Sequence, residues 1–437
     1  MFHLYVLSLP FVDVLSFHPW APLPLMICLL LLLRAVPSHK VLSLERDDTT
    51  LFAIIVLGTI PYIWSYDYLG PKATNHLMAL TTVIVLSYWV PRQWIRVELA
   101  AKHGWNNISK LLAAALFITS VYIIAEFVAT NAFGVSRDGL LPHTDLTYKF
   151  DPQILSYKRP RGFASEPGHM ALFYELSVFI VWRFLRAKPV LVQLGYWAVV
   201  LAGFILLSST AAVISIVIAG VVYVAWYGLK RPREVLGGLA VAVALAIGLC
   251  WLTADQMGDF IRDTALVKVD DMIFGSRTLG LARSSRHSQY QVVFDLAKQY
   301  PAGIGYGVTS QTFAQGRTYE GMEVFPGQIS LIGYFLVSAG YLGALLFIVF
   351  LARRLIRANR CVHLQSALVP TGIALFTHHM FVAEQCLPFL WFYLALVDAA
   401  YSCQRRRERA TARLETLYVG QVARRAAFPA HVQSQSQ

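Results

Sequence analysis

Long apolar runs separated by short basic connections make up almost the whole 437-residue chain. A helix needs roughly 17 to 25 apolar residues to cross a bilayer. Segments of about that length fall near 20–36, 51–66, 75–90, 108–129, 168–185, 190–208, 210–227, 235–252, 329–352, 364–381 and 385–402. Residues 2–17 are apolar but short and carry Pro10 and Asp13, so they form either a twelfth span or an interfacial helix. The pattern predicts an all-α polytopic integral membrane protein with about 11–12 transmembrane helices.

The connections test that pattern, because cytoplasmic loops are enriched in Lys and Arg. Basic clusters occur at Arg34, Lys40 and Arg46; at Arg92, Arg96 and Lys102; and at Arg183, Arg186 and Lys188. Others occur at Lys230, Arg231 and Arg233; at Arg353, Arg354, Arg357 and Arg360; and at Arg405, Arg406, Arg407 and Arg409. When the segments are threaded alternately, all of these fall on one side, with the basic tail 404–437 on the cytoplasmic face. Residues 1–403 then form a transmembrane bundle whose two long loops, 130–167 and 253–328, lie on the outer face. The loops hold five Lys/Arg against four acids and seven against eight, so they are close to neutral.

Composition agrees: 57% apolar, 14% charged and a mean hydropathy of +0.54 lie outside the range of soluble domains. The net charge of +12 is explained by topology and gives no reason to expect a nucleic-acid partner. None of Cys28, Cys250, Cys361, Cys386 and Cys403 falls in a long loop, so neither a disulfide framework nor a CxxC metal site is expected. The N-terminus lacks a basic n-region and a small-residue cleavage site, so no removable signal peptide is expected.

The densest chemistry lies at 157–178, YKRPRGFASEPGHMALFYELSV. Lys158, Arg159 and Arg161 lead into a helix with Ser165 as expected N-cap, Pro167 in the first turn, and Glu166 and His169 beside it. A helix N-terminus favours anions through its free N–H groups and dipole. A capped helix preceded by solvated basic residues would account for the same stretch. In the second loop, Tyr290, Val293, Phe294 and Ala297 follow an amphipathic helical stripe that Pro301 closes, with Ser284 or Ser285 as cap and Arg286 and His287 in the first turn. A cation there opposes the helix dipole, and a bound anion would reverse that sign. Gly303, Gly305 and Gly307 lack a βαβ context and read as a turn.

Glu126, Glu175 and Asp398 are costly at membrane depth and are expected to be paired structural carboxylates facing the bundle interior. Asp13, His378, His379 and Glu384 lie nearer the interfaces. No metal-ligand spacing, Gly-x-Ser-x-Gly motif or catalytic triad is present. Arginines leading two helices on one face suit a phosphate-bearing substrate, because the guanidinium fork matches phosphate oxygens and stays charged. If the phosphate is a leaving group, such a clamp stabilises the developing charge.

These residues resemble the bacterial O-antigen polymerases and O-antigen ligases, membrane glycosyltransferases that use undecaprenyl-diphosphate-linked glycans. Arg159-Pro-Arg161-Gly162-Phe163 with Glu166-Pro167 and Ala171 looks like the family's first signature. Arg286 and the following Pro301-x-Gly303-x-Gly305 look like the second, and Ile332 to Phe347, with Gly340 and Gly343, looks like the start of the next span. The resemblance implies a GT-C-like helical bundle in the bacterial inner membrane, with an active face on the periplasmic side and one large periplasmic loop containing helices. It further implies an inverting, metal-independent glycosyltransferase that polymerises lipid-linked saccharide units into O-antigen or exopolysaccharide, needing no cofactor. Arg159, Arg161 and Arg286 would bind diphosphate, and Glu166, His169 or His287 would act as catalytic groups. The implied partners are a lipid-linked oligosaccharide or polysaccharide, membrane lipids and a chain-length regulator protein. One departure favours a polymerase over a ligase. Ligases usually place a histidine just before the span that follows the large loop, and Phe325-Pro326-Gly327-Gln328 has none. The alternatives are a ligase that transfers glycan to lipid A core or protein, and a transporter or flippase of lipid-linked glycans.

Overall fold

The computed structural model describes residues 1–16, 21–35, 45, 48–136, 140–141, 153–154, 157–207, 209–228, 286–306, 318–319, 322–323, 330–382 and 386–427. Its helices are α1 (Phe2–Ser8), α2 (Leu23–Ala35), α3 (Asp48–Ile84), α4 (Val90–Ala100), α5 (Gly104–Ala132), α6 (Pro167–Leu185), α7 (Val190–Leu207), α8 (Thr210–Gly228), α9 (Arg286–Gln299), α10 (Leu331–Arg360), α11 (Gln365–His378) and α12 (Pro388–Ala427). Among the described residues, strand pairing is confined to two antiparallel pairs, β1 (Gln153–Ile154) with β2 (Tyr157–Lys158) and β3 (Thr318–Tyr319) with β4 (Met322–Glu323). The protein is an all-α polytopic membrane protein.

Four of these helices, α5, α6, α7 and α10, are long and apolar enough to cross a bilayer, and Leu23–Arg34, Asp48–Trp64 and Ala211–Ala225 form shorter apolar helices. Each expected apolar segment coincides with a helix, except 235–252, which lies outside the described residues. Segments 51–66 and 75–90 fall within one continuous helical assignment, yet they do not form one rod. Tyr62 and Thr74 share a 2.6 Å hydroxyl contact, and Arg92 meets Asp48 at 2.8 Å. Twelve residues of straight helix would span about 18 Å. The chain therefore reverses between Tyr62 and Thr74, leaving two antiparallel arms.

Residues 2–14 correct the choice between a twelfth span and an interfacial helix. They run beside α5, from His3 against Glu98 at one end to Asp13, whose N–H donates to the Phe163 carbonyl, at the other. The 7-residue helix covers only about 10 Å of this. Beyond Pro10 the chain is irregular but packed inside the protein, with Val12, Asp13 and Val14 buried, and irregular backbone at membrane depth is tolerated only in such surroundings.

Between α3 and α4 the helix widens into a π-turn, Val85–Trp89. Pro91, in the first turn of α4, has no N–H for the carbonyl of Ser87, and a local π-turn accommodates that loss. The turn holds Tyr88 inside a buried ionic network. Arg92 pairs in a bidentate fashion with Asp48, with both N···O distances 2.8 Å. Tyr88 donates to Asp398 at 2.6 Å, and Arg354 and Arg357 donate to the same carboxylate at 3.2 and 2.6 Å. Arg354 and Asp398 are both 0% exposed, and the Arg354 guanidinium lies 3.6 Å over the Phe350 ring. Arg96 pairs with Glu45 beside this network. Asp398, expected to be a paired structural carboxylate facing the bundle interior, is paired with Arg354 and Arg357.

α10 is broken at Gly340, whose φ of 71° and ψ of −173° are not helical. Segment 301–305 fills the break. Ile304 N–H donates to Val337 O at 2.8 Å, Gly305 N–H to Ser338 O at 2.9 Å, and Tyr341 N–H to Pro301 O at 3.1 Å. Gly303, Gly305 and Gly340 all have positive φ. A Cβ on Gly303 or Gly340 would approach the other segment's backbone to 2.5 or 2.3 Å, and on Gly305 it would strike the backbone of Tyr62 at 2.5 Å. This joint and the α9 helix form a second apolar cluster of Val292, Val293, Leu296, Ala297, Ile304 and Val337.

Replacing Asp398 with Ala leaves Arg354 and Arg357 without their buried counter-charge, a loss of about 3–5 kcal/mol. The expected outcome is a clearly lower melting midpoint of the detergent-purified protein by size-exclusion chromatography; an unchanged midpoint would show that the network contributes no stability.

Candidate functional site

The loop before α6 is fixed to α5 at successive points. Asn131 acts as a backbone mimic, accepting from Lys158 N–H at 2.8 Å and donating to the Lys158 carbonyl at 3.0 Å. One helical turn deeper, Glu126 accepts from Arg161 N–H at 3.1 Å and from Gly162 N–H at 2.8 Å. Gly162 adopts φ 68°, in the left-handed region, and a Cβ there would press on Met170 Sδ at 3.0 Å. Phe163 is stacked between Phe11 and Tyr122, with ring centroids 4.3 and 4.4 Å away. Glu126, expected to be a paired structural carboxylate, anchors this loop through its backbone.

Arg159 Nε and Nη2 donate to the Leu207 carbonyl at 3.2 and 2.6 Å, placing a cation on the C-terminus of α7, where the helix dipole favours it. Arg161 is buried. The N-cap of α6 is Glu166, without a side-chain cap bond, and Pro167 sits in the first turn. Ser165, expected to be that cap, instead shares a 3.0 Å contact with His169 Nδ1. Glu166 lies 3.9 Å from His169 Nε2, beyond hydrogen-bond distance.

Arg286 and His287 open α9, but their side chains lie outside the described residues, as does Gly307. α9 buries Val292, Val293, Leu296 and Ala297, while Phe294, expected on the buried stripe, is 53% exposed. The helix is rotated because its partner is the broken α10 and not a flat surface. Tyr290 donates to the Met380 carbonyl, and the His379 carbonyl accepts from Leu331 N–H at 2.8 Å. Segment 378–382 therefore touches both α9 and the start of α10.

The same segment reaches the first loop's helix. His378 Nδ1 lies 2.7 Å from Oε1 of Glu175 on α6, and both side chains are 0% exposed. The structure thus joins the two arginine-led elements at one end of the bundle through Glu175, His378 and His379, residues that the sequence marks as ionisable but does not bring together. The available signal was a carboxylate within one apolar run and a His-His pair closing another; nothing in their spacing shows that they meet. Among the described residues no group of His, Cys, Asp or Glu is arranged to hold a metal.

Residues 194–348 match the family model described as O-Antigen ligase. The match covers less than half of the chain and includes α7, α8, α9, the joint at Gly340 and the first half of α10. It agrees with the resemblance drawn from the two arginine motifs and supports glycan handling in the membrane of the O-antigen ligase/polymerase type. No curated protein matches the chain.

Glu126→Ala removes the acceptor for two buried N–H groups, at a cost of about 2 kcal/mol. The expected outcome is loosening of the loop, read as faster trypsin cleavage after Lys158 and Arg161 in the purified protein; an unchanged cleavage rate would show that Glu126 does not hold it.

Proposed function

We propose that the protein is a glycosyltransferase that polymerises undecaprenyl-diphosphate-linked saccharide units at the periplasmic face of the bacterial inner membrane. The observation that carries this reading is the convergence of the two arginine-led elements, 157–178 and α9, on the segment 378–382. Arg159, Arg161 and Arg286 hold the diphosphates of donor and acceptor. Arg159 directs Nε and Nη2 to the carbonyl at the α7 terminus, which orients its guanidinium plane. The transfer is inverting and metal-independent, and a chain-length regulator is a partner.

A ligase is the second reading, and one observation favours it. A histidine, His379, lies next to the start of α10, its carbonyl accepting from the N–H of Leu331. A deletion strain separates the two. Loss of the surface-glycan length ladder with short lipid-linked units remaining marks a polymerase, accumulation of full-length lipid-linked polymer marks a ligase, and an unaltered ladder rejects both. In a complementing copy, Arg159→Ala and Arg286→Ala are each expected to reduce polymer about 100-fold, the scale of losing one donor to developing charge. Full restoration of the ladder by both variants would refute the diphosphate clamp while leaving the function standing.

A further inference from the structure

The N-terminal segment has no part in the reading above and lies outside residues 194–348, the region matched by the family model. Its helix ends at Ser8, and Pro10 has no N–H with which to continue it, yet the chain runs on to the loop that opens α6. There it meets one residue in two ways. The Phe163 carbonyl accepts from the N–H groups of Asp13 at 3.0 Å and Val14 at 3.4 Å. The Phe163 ring is stacked on Tyr122 of α5, and Phe11 covers its opposite face.

The backbone just beyond these contacts is strained. Leu15 has φ 60°, and among the described residues it is the one non-glycine with positive φ. A left-handed residue that carries a Cβ persists only where its surroundings over-determine it, and such strain collects at functional sites. The Leu15 side chain is 55% exposed, so its own packing does not account for the conformation. The turn directly follows the two N–H groups that meet Phe163.

Phe163 closes the arginine stretch. Asn131 holds Lys158, Glu126 holds Arg161 and Gly162, and the N-terminal segment holds Phe163. The first two anchors both belong to α5, and two anchors on one helix define a line about which a loop can still turn. A third anchor from another segment removes that freedom.

We infer that residues 11–15 are a positioning element: through Phe163 they set the loop so that its arginines receive the diphosphate of the lipid-linked substrate. This rests on the glycosyltransferase reading. A guanidinium pairs with phosphate oxygens through a planar fork, and binding is tighter when that plane is ordered before the ligand arrives. An arginine on a loosened loop still closes on the diphosphate, so the ordering cost falls on binding, and the bound complex reacts as before.

The test uses the purified full-length protein and, as donor and acceptor, the lipid-linked saccharide extracted from the deletion strain. Phe11→Ala is expected to raise the apparent KM about tenfold with kcat within about twofold of wild type, and Phe11→Tyr, which keeps the ring, to retain the wild-type KM. Leu15→Gly accepts positive φ and is expected to behave as wild type. Leu15→Pro, with φ fixed at about −65°, breaks the turn and is expected to match Phe11→Ala. Should Phe11→Ala fail to fold, the two Leu15 variants decide. A Phe11→Ala KM within about twofold of wild type would overturn the proposal, as would equal KM values for Leu15→Gly and Leu15→Pro. Losses that fall on kcat alone and follow the folded fraction would overturn it too, because they mark a contact that serves stability and nothing else. A wild-type protein with no activity on this substrate would instead remove the transferase reading, and this proposal with it.

Discussion

The bundle depends on how it satisfies charge that cannot leave the interior. Asp398 is fully buried, and Tyr88, Arg354 and Arg357 all donate to its carboxylate, while Arg92 clamps Asp48 and also donates to Tyr88. The six side chains come from five parts of the chain: the first arm of α3, the π-turn, α4, α10, which supplies both Arg354 and Arg357, and α12. No member tolerates the loss of its partner, because a lone ion in that place costs far more than the pair returns. The network therefore fixes which helices are neighbours and in what register, even though its net contribution to stability is modest. Pro91 enters the same logic, because the π-turn it imposes is what contains Tyr88.

The opposite half of α10 meets a different constraint. A helix interrupted at Gly340 exposes backbone groups that the membrane cannot hydrate, and segment 301–305 supplies the missing donors and the missing acceptor. In transporters, interrupted helices present such groups to an ion or substrate. Here they are occupied by the protein's own loop, which argues against reading the break as a transport site. The joint instead fixes α9 to α10, so the position of the second arginine-bearing helix is set by three backbone hydrogen bonds and three glycines.

Much of this was legible from the sequence for a simple reason: apolar length and basic clustering are local properties, and the helices follow them. The turn at Gly303 and Gly305 was legible as well, because glycine spacing without a strand before it leaves little else. What was not legible depends on contacts between distant segments. Phe294 fits the helical stripe as well as Leu296 does, and only the shape of α10 decides which is buried. Ser165 is a good cap by type, but His169 competes for its hydroxyl. The reversal between Tyr62 and Thr74, by contrast, was legible, because 51–66 and 75–90 read as separate apolar segments. Arg92, Arg354 and Arg357 read as loop anchors, because their buried carboxylate partners are 44, 44 and 41 residues away.

Arginine is used in contrasting ways at the two ends of α10, and the contrast bears on what each end does. Near Arg354 and Arg357 the guanidinium groups are met by carboxylates, an arrangement that cancels charge and leaves a weld. In the loop before α6 the available carboxylate, Glu126, accepts backbone N–H groups, and Arg159 is oriented by a carbonyl. Holding the loop by its backbone fixes the path of the chain into α6. At one end of α10 side chains carry the fixation, and in the loop before α6 the backbone carries much of it.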